Sequence, residues 1–186
     1  MLANVGTKMI SAQTIYWTSV PSAIGECVLM ATERGLCWLG TPGTPRTHGE
    51  QWVRKIYPDA CVTNSTHAVL QQAAQELERY FAGEHIAFTC PLDLHGTPFQ
   101  RAVWQALCTI PYGETCSYAD IARMIGRPTA CRAVGAANGA NPVAIIVPCH
   151  RVIGSSGDLT GYGGGLDTKA WLLQLEGITP YAHQRR

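Results

Sequence analysis

The sequence predicts an α+β protein in two parts, an antiparallel sheet with helices in residues 1–92 and a helical unit in residues 93–186. Two observations predict this division: short β-prone runs separated by turn residues fill the first part, whereas apolar side chains at helical spacing dominate the second. A third observation, 46% hydrophobic and 15% charged residues, is typical of a globular protein with a large core. No apolar run approaches the ~20 residues that a membrane span needs.

Three short runs near the start predict an antiparallel meander. Residues 14–18, 26–30 and 36–39 are β-prone, and the segments between them contain turn residues such as Gly25 and the pair Arg34-Gly35. A further strand is predicted at residues 86–90.

Two helices are predicted among these strands. The first covers about residues 51–57 and stops at Pro58. The second covers residues 67–82, where apolar side chains recur at helical spacing, with Thr66 as the N-cap and Gly83 at the end. Nothing in this part of the chain indicates a catalytic site.

The second part predicts a helix-turn-helix. Residues 97–100, Thr-Pro-Phe-Gln, have the pattern of a capping box with proline at the first helical position. Ser117 caps the next helix, and a tight Gly-Arg-Pro turn at residues 126–128 leads to a third helix over residues 130–138. This third helix consists mostly of small residues, which permit close approach of a partner or simply tight packing inside the domain.

A last helix is predicted at residues 167–175, followed by Glu176. The dipole at the C-terminal end of a helix disfavours an anion. Glu176 is therefore expected either to have a cationic or hydrogen-bonding partner or to be exposed.

The most informative stretch is Pro-Cys-His-Arg-Val at residues 148–152, which follows an apolar run at residues 143–147 that we interpret as a buried strand. A thiol beside an imidazole indicates a cysteine nucleophile, because a neighbouring base favours the reactive thiolate. The alternative is a core cysteine next to a surface histidine. Since adjacent strand residues point to opposite faces, either the strand ends at Pro148 or a water connects Cys149 and His150.

The other seven cysteines predict neither a disulfide framework nor a metal site. The chain contains no Cys-x-x-Cys pair, so a structural zinc site has no support, and most of these thiols are expected to be small core residues. No cofactor is predicted. The first eight residues contain no hydrophobic leader, so we expect a cytoplasmic protein.

The charge distribution is weakly informative. Residues 1–95 have a net charge of −2 and residues 96–186 of +3. Between residues 115 and 151 the basic side chains outnumber the acidic ones, with Arg123, Arg127, Arg132 and Arg151 against Asp120. Such a bias can attract a polyanion, but a solvated surface is equally compatible with it.

The second part resembles the O6-alkylguanine-DNA alkyltransferases, also called methylated-DNA–protein-cysteine methyltransferases. The matching segments follow the order and spacing of that family and comprise residues 113–118, 132–135, 141–154, 161–165 and 171–177. The resemblance implies a ribonuclease-H-like first domain and a winged helix-turn-helix in the second. It also implies repair of DNA by a single irreversible transfer of an alkyl group from O6 of guanine, and from O4 of thymine, to a cysteine of the protein.

The resemblance implies a role for five residues in this transfer. Cys149 would accept the alkyl group, His150 would take the thiol proton through a water, and Glu176 would orient His150. Tyr118 would assist the departing guanine, and Asn141 would hold the turn before the active-site segment.

The resemblance also implies the DNA contacts and the pocket. Arg132 would enter the base stack and replace a flipped nucleotide, while the small-residue helix would lie in the minor groove of double-stranded DNA. The residues expected at the DNA are Tyr118, Thr129, Ala130, Cys131, Arg132, Ala133 and Arg151, and those expected around the substrate are Val152, Tyr162, Gly163 and Gly164. The protein is expected to act as a monomer.

One position departs from the family pattern. The residue after Tyr162 is often polar in the family, and here it is Gly163. We expect a roomier, less polar pocket that accepts O6 groups larger than methyl.

Two other functions remain as alternatives. A cysteine hydrolase would also use Cys and His, but it needs an oxyanion hole that no motif indicates. A lesion sensor would bind damaged DNA without reacting, but such proteins lack the reactive cysteine that Cys149 supplies here.

Overall fold

The computed structural model describes residues 13–179 of the chain. The N-terminal residues on which the expectation of a cytoplasmic protein rests lie outside this range. None of the helices in the described range is both long and apolar enough to cross a membrane.

A four-stranded sheet lies in the first half of the described chain. Its strands are β1 (Thr14–Ser22), β2 (Gly25–Ala31), β3 (Leu36–Leu39) and β4 (Cys61–Thr63), in the order β3-β2-β1-β4. The first three are antiparallel, as the meander predicts. Strand β4, which runs parallel to β1, was not predicted, because three residues are too few to show a periodic pattern.

The strand predicted at residues 86–90 is wrong. The segment is irregular in the structure. Its backbone N–H groups at Thr89 and Cys90 donate to the Glu76 carboxylate at 3.1 and 3.2 Å instead of to a neighbouring strand. A buried side chain therefore satisfies backbone groups that a strand would have paired with other backbone.

Two helices cover opposite faces of the sheet: α1 (Arg46–Ile56) and α2 (Ala68–Phe81). Alternate residues of β2 separate the two faces, since Leu29 packs with Leu77 of α2, whereas Met30 packs with Val53 of α1. Helix α1 begins earlier than predicted.

The cap predicted for α2 is also wrong. His67 is the N-cap instead of Thr66, and its Nδ1 accepts a hydrogen bond from Val69 N.

The second half contains the helices α3 (Pro98–Leu107), α4 (Tyr118–Met124), α5 (Cys131–Gly139) and α6 (Leu166–Leu175), and the short parallel strands β5 (Cys116–Ser117) and β6 (Val152–Ile153). The capping boxes predicted from Thr97 and Ser117 are both present. Helices α4 and α5 pack together around a tight turn, which confirms the helix-turn-helix.

The buried strand predicted at residues 143–147 is wrong. Val143 forms a single bridge with Leu39, and the chain then turns, with Val147 N donating to Val143 O at 3.0 Å and Ile145 at a φ of 70°. The burial itself was predicted correctly. A short apolar run reports burial but does not determine the backbone conformation.

One hydrophobic core spans both halves of the described chain. It includes Leu29 and Tyr80 from the first half and Trp104, Val147 and Leu172 from the second. The mixed α+β architecture is confirmed, whereas the division at residue 92 stays a prediction.

Candidate active site

Cys149 opens a 3-10 turn, Cys149–Arg151, directly after Pro148. Its backbone is held at both ends, because Cys149 N donates to Val147 O at 2.8 Å and Cys149 O accepts from Asn138 Nδ2 at 3.3 Å. The side chain is buried, with 6% of the residue exposed. The strand geometry that made a Cys149–His150 pair awkward is therefore absent here.

Asn141 holds the turn that precedes Cys149. Its Nδ2 donates to Val147 O at 2.8 Å, and its Oδ1 accepts from Val143 N at 3.0 Å. One side chain thus bridges both ends of the buried turn, which is the position expected for it.

His150 and Glu176 form a buried pair. Nε2 of His150 lies 2.8 Å from Glu176 Oε1, and neither side chain has any exposed surface. Arg151 donates to both carboxylate oxygens, at 2.8 and 3.0 Å, and Tyr80 donates from its hydroxyl at 2.8 Å. Glu176 therefore has a cationic partner, Arg151, and further hydrogen-bond donors, which is the first of the two outcomes expected for an acid at the end of α6.

Glu176 is ionised. Burial raises the pKa of its carboxyl group, but the hydrogen bonds from His150 and Arg151 outweigh burial and lower the pKa to about 2. An ionised carboxylate can only accept hydrogen bonds, so Nε2 of His150 carries the proton and Nδ1 has a free lone pair. Nδ1 is buried and has no hydrogen-bond partner among the described residues.

The thiol and the imidazole are both neutral near pH 7. Burial raises the pKa of Cys149, and the Asn141 side chain, the Lys169 charge and nearby backbone N–H groups oppose this only in part. Burial also lowers the pKa of His150 below its ordinary 6.5, against the effect of Glu176. The site therefore holds a thiol beside a proton acceptor, not a preformed ion pair.

Two residues at this site were not predicted. Lys169 of α6 has no exposed surface, and its ammonium group donates to Val152 O and to Thr160 O. Burial lowers the pKa of Lys169 to about 8. Tyr80, the second, comes from the first half of the chain; neither residue belongs to a motif that distinguishes it from a surface lysine or a core tyrosine.

The remaining pocket candidates follow Cys149 in the chain. Val152 is fully buried, and the Tyr162 hydroxyl is buried without a partner among the described residues. Tyr162, Gly163 and Gly164 form a turn closed by a hydrogen bond from Gly165 N to Tyr162 O at 3.0 Å, which we call the glycine rim (residues 162–165). A Cβ at Gly163 would meet no atom within 4 Å, so the rim has room there.

The residues expected at DNA form a strip at the start of α5. Thr129, Arg132 and Ala133 are exposed, and Ala130 and Cys131 are half-buried. Arg132 forms no ion pair with any residue between 13 and 179. Tyr118 lies beside α5 and donates from its hydroxyl to Thr160 O at 3.2 Å.

Arg151 is the exception among the expected DNA contacts. Its side chain is 9% exposed, and its guanidinium is held by Glu176 and by the carbonyl of Ile110 at 2.7 Å. The burial of Arg151 therefore argues against a DNA contact, and its side chain instead binds the carboxylate of the His150–Glu176 pair.

The other cysteines are less uniform than predicted. Cys27, Cys37 and Cys90 are buried, whereas Cys61 and Cys108 are exposed and the remaining two are half-buried. No group of three or more potential metal ligands occurs in the part of the chain that the structure describes.

Two family models match almost the whole described chain. Residues 15–94 match the ribonuclease-like domain of 6-O-methylguanine DNA methyltransferase, and residues 98–178 match its DNA-binding domain.

Curated proteins and a solved structure extend this similarity. The chain is 46% identical to the inducible methylated-DNA–protein-cysteine methyltransferase of Bacillus subtilis, over 88% of this chain and 90% of that protein. It is 47% identical to the Methanosarcina acetivorans methyltransferase of the same name, over 88% and 99%. The crystal structure of Mycobacterium tuberculosis OGT in complex with DNA superposes with a TM-score of 0.72 at 48% identity, over 88% and 92%. The chain therefore belongs to the methylated-DNA–protein-cysteine methyltransferase family.

Proposed function

We propose that this protein repairs DNA by moving the alkyl group of O6-alkylguanine, and of O4-alkylthymine, onto Cys149 in a single irreversible step. One observation supports this most strongly: a buried thiol is followed directly by a buried imidazole whose Nε2 is bound to an ionised carboxylate and whose Nδ1 is free to accept a proton. The family relationship supplies the substrate class.

In the proposed transfer, the sulfur of Cys149 attacks the carbon attached to O6. The S–C bond forms, and the C–O6 bond breaks with its electron pair going to the guanine. The thiol proton passes to Nδ1 of His150, through a water in our proposal, and Glu176 stabilises the resulting imidazolium. Tyr118 donates its hydroxyl proton to the departing base, so that guanine leaves neutral; the tyrosinate then regains a proton and the His150 imidazolium releases one, both by exchange with solvent.

Intact mass after mixing with an oligonucleotide that contains one O6-methylguanine tests the proposal. We expect the protein to gain one methylene group at Cys149, and no further gain when more oligonucleotide is added. Repair of more than one lesion per protein molecule with unchanged protein mass would indicate a hydrolase, and tight binding with both the lesion and the protein mass unchanged would indicate a lesion sensor. Either result would overturn the proposal.

The DNA contact of Arg132 is a separate part of the proposal. Its exposed guanidinium at the start of α5 would fill the gap left by the flipped base. Arg132→Ala should slow transfer from duplex DNA at least tenfold more than reaction with free O6-benzylguanine. Arg54→Ala, an exposed arginine on α1, is the control and should affect neither reaction; equal losses in the Arg132 variant would contradict the assignment.

Gly163 is proposed to widen the pocket. Because a side chain at this position has open space, Gly163→Ser should fold normally. We expect the variant to react with a benzyl substrate more slowly relative to a methyl one than the original protein does. Equal ratios in the two proteins would count against the role of Gly163. The cytoplasmic location and the monomeric state stay predictions.

A further inference from the structure

The glycine rim does not stand alone, because the first half of the chain contacts it. An ideal Cβ built on Gly164 would lie 2.6 Å from Thr41 Oγ1, 2.7 Å from Thr41 Cβ and 3.0 Å from Thr41 Cγ2. Real Cβ atoms do not approach that closely, so the backbone at Gly164 is packed directly on the Thr41 side chain. Neither residue could move toward the other.

Thr41 is itself held firmly. It is 9% exposed, and its Oγ1 lies 2.7 Å from the Thr44 hydroxyl, while Thr44 N donates to Thr41 O at 2.9 Å. The ends of this turn are tied to strand β2, because Gly40 N donates to Val28 O and Gly43 N to Glu26 O. The support under the rim is therefore an extension of the sheet.

The same stretch of chain also contacts the segment that carries the thiol. Leu39 N donates to Pro142 O at 2.8 Å, and Leu39 O accepts from Ala144 N at 3.0 Å. Leu39 thus holds the buried turn before Cys149, and Thr41, two residues later, packs against the glycine rim, where the family resemblance expects the substrate. The segment that carries the thiol and the rim are therefore both in contact with this short piece of the first half.

We propose that Thr41 is a positioning residue that fixes the glycine rim and thereby limits the size of the O6 substituent that reaches Cys149. This proposal rests on the proposed alkyl transfer. Its chemical consequence is that the first half of the chain, which supplies no reacting group, takes part in substrate selection. An open cavity of about 300 Å³ lies beside the contact, lined by the Thr41 turn, His48 and the rim, and gives the rim space into which it can relax.

Thr41→Gly removes all three atoms that the Gly164 Cβ would meet. We expect the rate ratio of O6-benzylguanine to O6-methylguanine, each in the same oligonucleotide, to rise roughly tenfold, because one or two methylene-sized differences in a pocket are worth that much. Thr41→Ala keeps the Cβ of Thr41, and its backbone is less flexible than that of Thr41→Gly. It should therefore shift the ratio in the same direction but by a smaller factor. A general loss of structure would lower both rates together and leave the ratio unchanged.

A rescue experiment isolates the contact. Gly164→Ala forces a Cβ into Thr41 and should lower the rates with both substrates, and the double variant Thr41→Gly with Gly164→Ala should recover most of the loss. The matched control is Gly163→Ala, whose Cβ meets nothing within 4 Å, so its effects should simply add to those of Thr41→Gly.

The results separate the two proposals. If the unchanged protein gains no methylene group, the proposed transfer itself fails. If it gains one, but both Thr41 variants keep the original benzyl-to-methyl ratio and Thr41→Gly does not rescue Gly164→Ala, the role of Thr41 is overturned.

Discussion

Cys149 in the 3-10 turn and Cys27 in strand β2 are both buried, but they have different surroundings. Burial raises the pKa of Cys27 to about 12, and no neighbouring charge lowers it. Burial also raises the pKa of Cys149, but there Asn141 and the charge of Lys169 act in the opposite direction. Burial keeps a thiol neutral, and polar groups that receive its proton and stabilise the thiolate make it a candidate nucleophile.

Removing each thiol in turn tests this comparison most directly. Cys149→Ala should abolish alkyl transfer completely, whereas Cys27→Ala should retain the full extent of transfer and lose about 1 kcal/mol of unfolding free energy through a small cavity. Intact mass measures the transfer and urea unfolding the stability. Alkylation of the Cys149→Ala protein by damaged DNA would show that another thiol reacts.

Neutralising Glu176 should have the next largest effect. Glu176→Gln leaves the buried Arg151 without a counter-charge and no longer fixes the proton on Nε2 of His150. We expect transfer to slow roughly a hundredfold, the usual contribution of an oriented general base, and unfolding free energy to fall by about 3 kcal/mol. Single-turnover kinetics with free O6-benzylguanine measure the rate.

Tyr80→Phe is the matched control for Glu176. It removes one hydrogen bond to the carboxylate but keeps its charge. The rate should then fall only severalfold. If a folded Glu176→Gln protein reacted as fast as the original, the His150–Glu176 pair would not be what makes Cys149 more reactive than Cys27.

The Glu176 variant also has a pH signature in stability. Since the folded pKa of about 2 lies below the ordinary 4.5, the unfolded chain binds the proton first as the pH falls. The stabilisation is complete above pH 4.5 and is lost as the pH falls through 2. Urea unfolding should show this slope in the original protein and a smaller one in Glu176→Gln.

The pattern of residues predicted several helices and the partners of Glu176, and the reasons are local. The capping boxes at Thr97 and Ser117 depend on residues three positions apart, so the sequence alone predicts them. The acid after α6 is likewise recognised from its position at the end of one helix. The apolar run at residues 143–147 was misinterpreted, since burial on all sides looks the same in a strand and in a turn.

Other features depend on contacts between distant parts of the chain. Tyr80 and Glu176 are 96 residues apart, and Thr41 and Gly164 come from opposite halves. The family resemblance placed Arg151 among the expected DNA contacts, but a buried carboxylate from the end of α6 pairs with it instead. No spacing in the sequence reports such pairs.

The pH dependence of transfer should distinguish a neutral thiol–imidazole pair from a preformed ion pair. Because burial lowers the pKa of His150 below 6.5, Nδ1 stays available until the pH falls under that value. The rate with free O6-benzylguanine should therefore be flat around pH 7 and fall only in acid. Since Glu176 raises the pKa of His150, the acid limb of Glu176→Gln should lie at lower pH.

If the acid limb of the rate profile of the original protein had its midpoint at or above pH 6.5, the pKa of His150 would not be lowered, and the neutral pair would be contradicted. Free O6-benzylguanine is used so that titration of DNA contacts does not affect the profile.

Replacing Lys169 should have the smallest effect of these substitutions, and it tests one specific difference between the two thiols. Its buried charge lowers the pKa of Cys149, and no lysine affects Cys27. Lys169→Met, which fills a similar volume without charge, should slow transfer severalfold while leaving the iodoacetamide reactivity of the exposed Cys61 unchanged. Loss of activity beyond about a hundredfold would assign Lys169 a direct part in the chemistry.

The stability of the same variant fixes the cause. The folded pKa of about 8 lies below the ordinary 10.5, so between these pH values the unfolded chain holds a proton that the folded protein has released. Lys169 should therefore contribute a stability that rises with pH across this window, opposite in sign to the contribution of buried thiols such as Cys27. The difference in unfolding free energy between the original protein and Lys169→Met should show this rise, and a pH-independent difference would contradict the lowered pKa of Lys169.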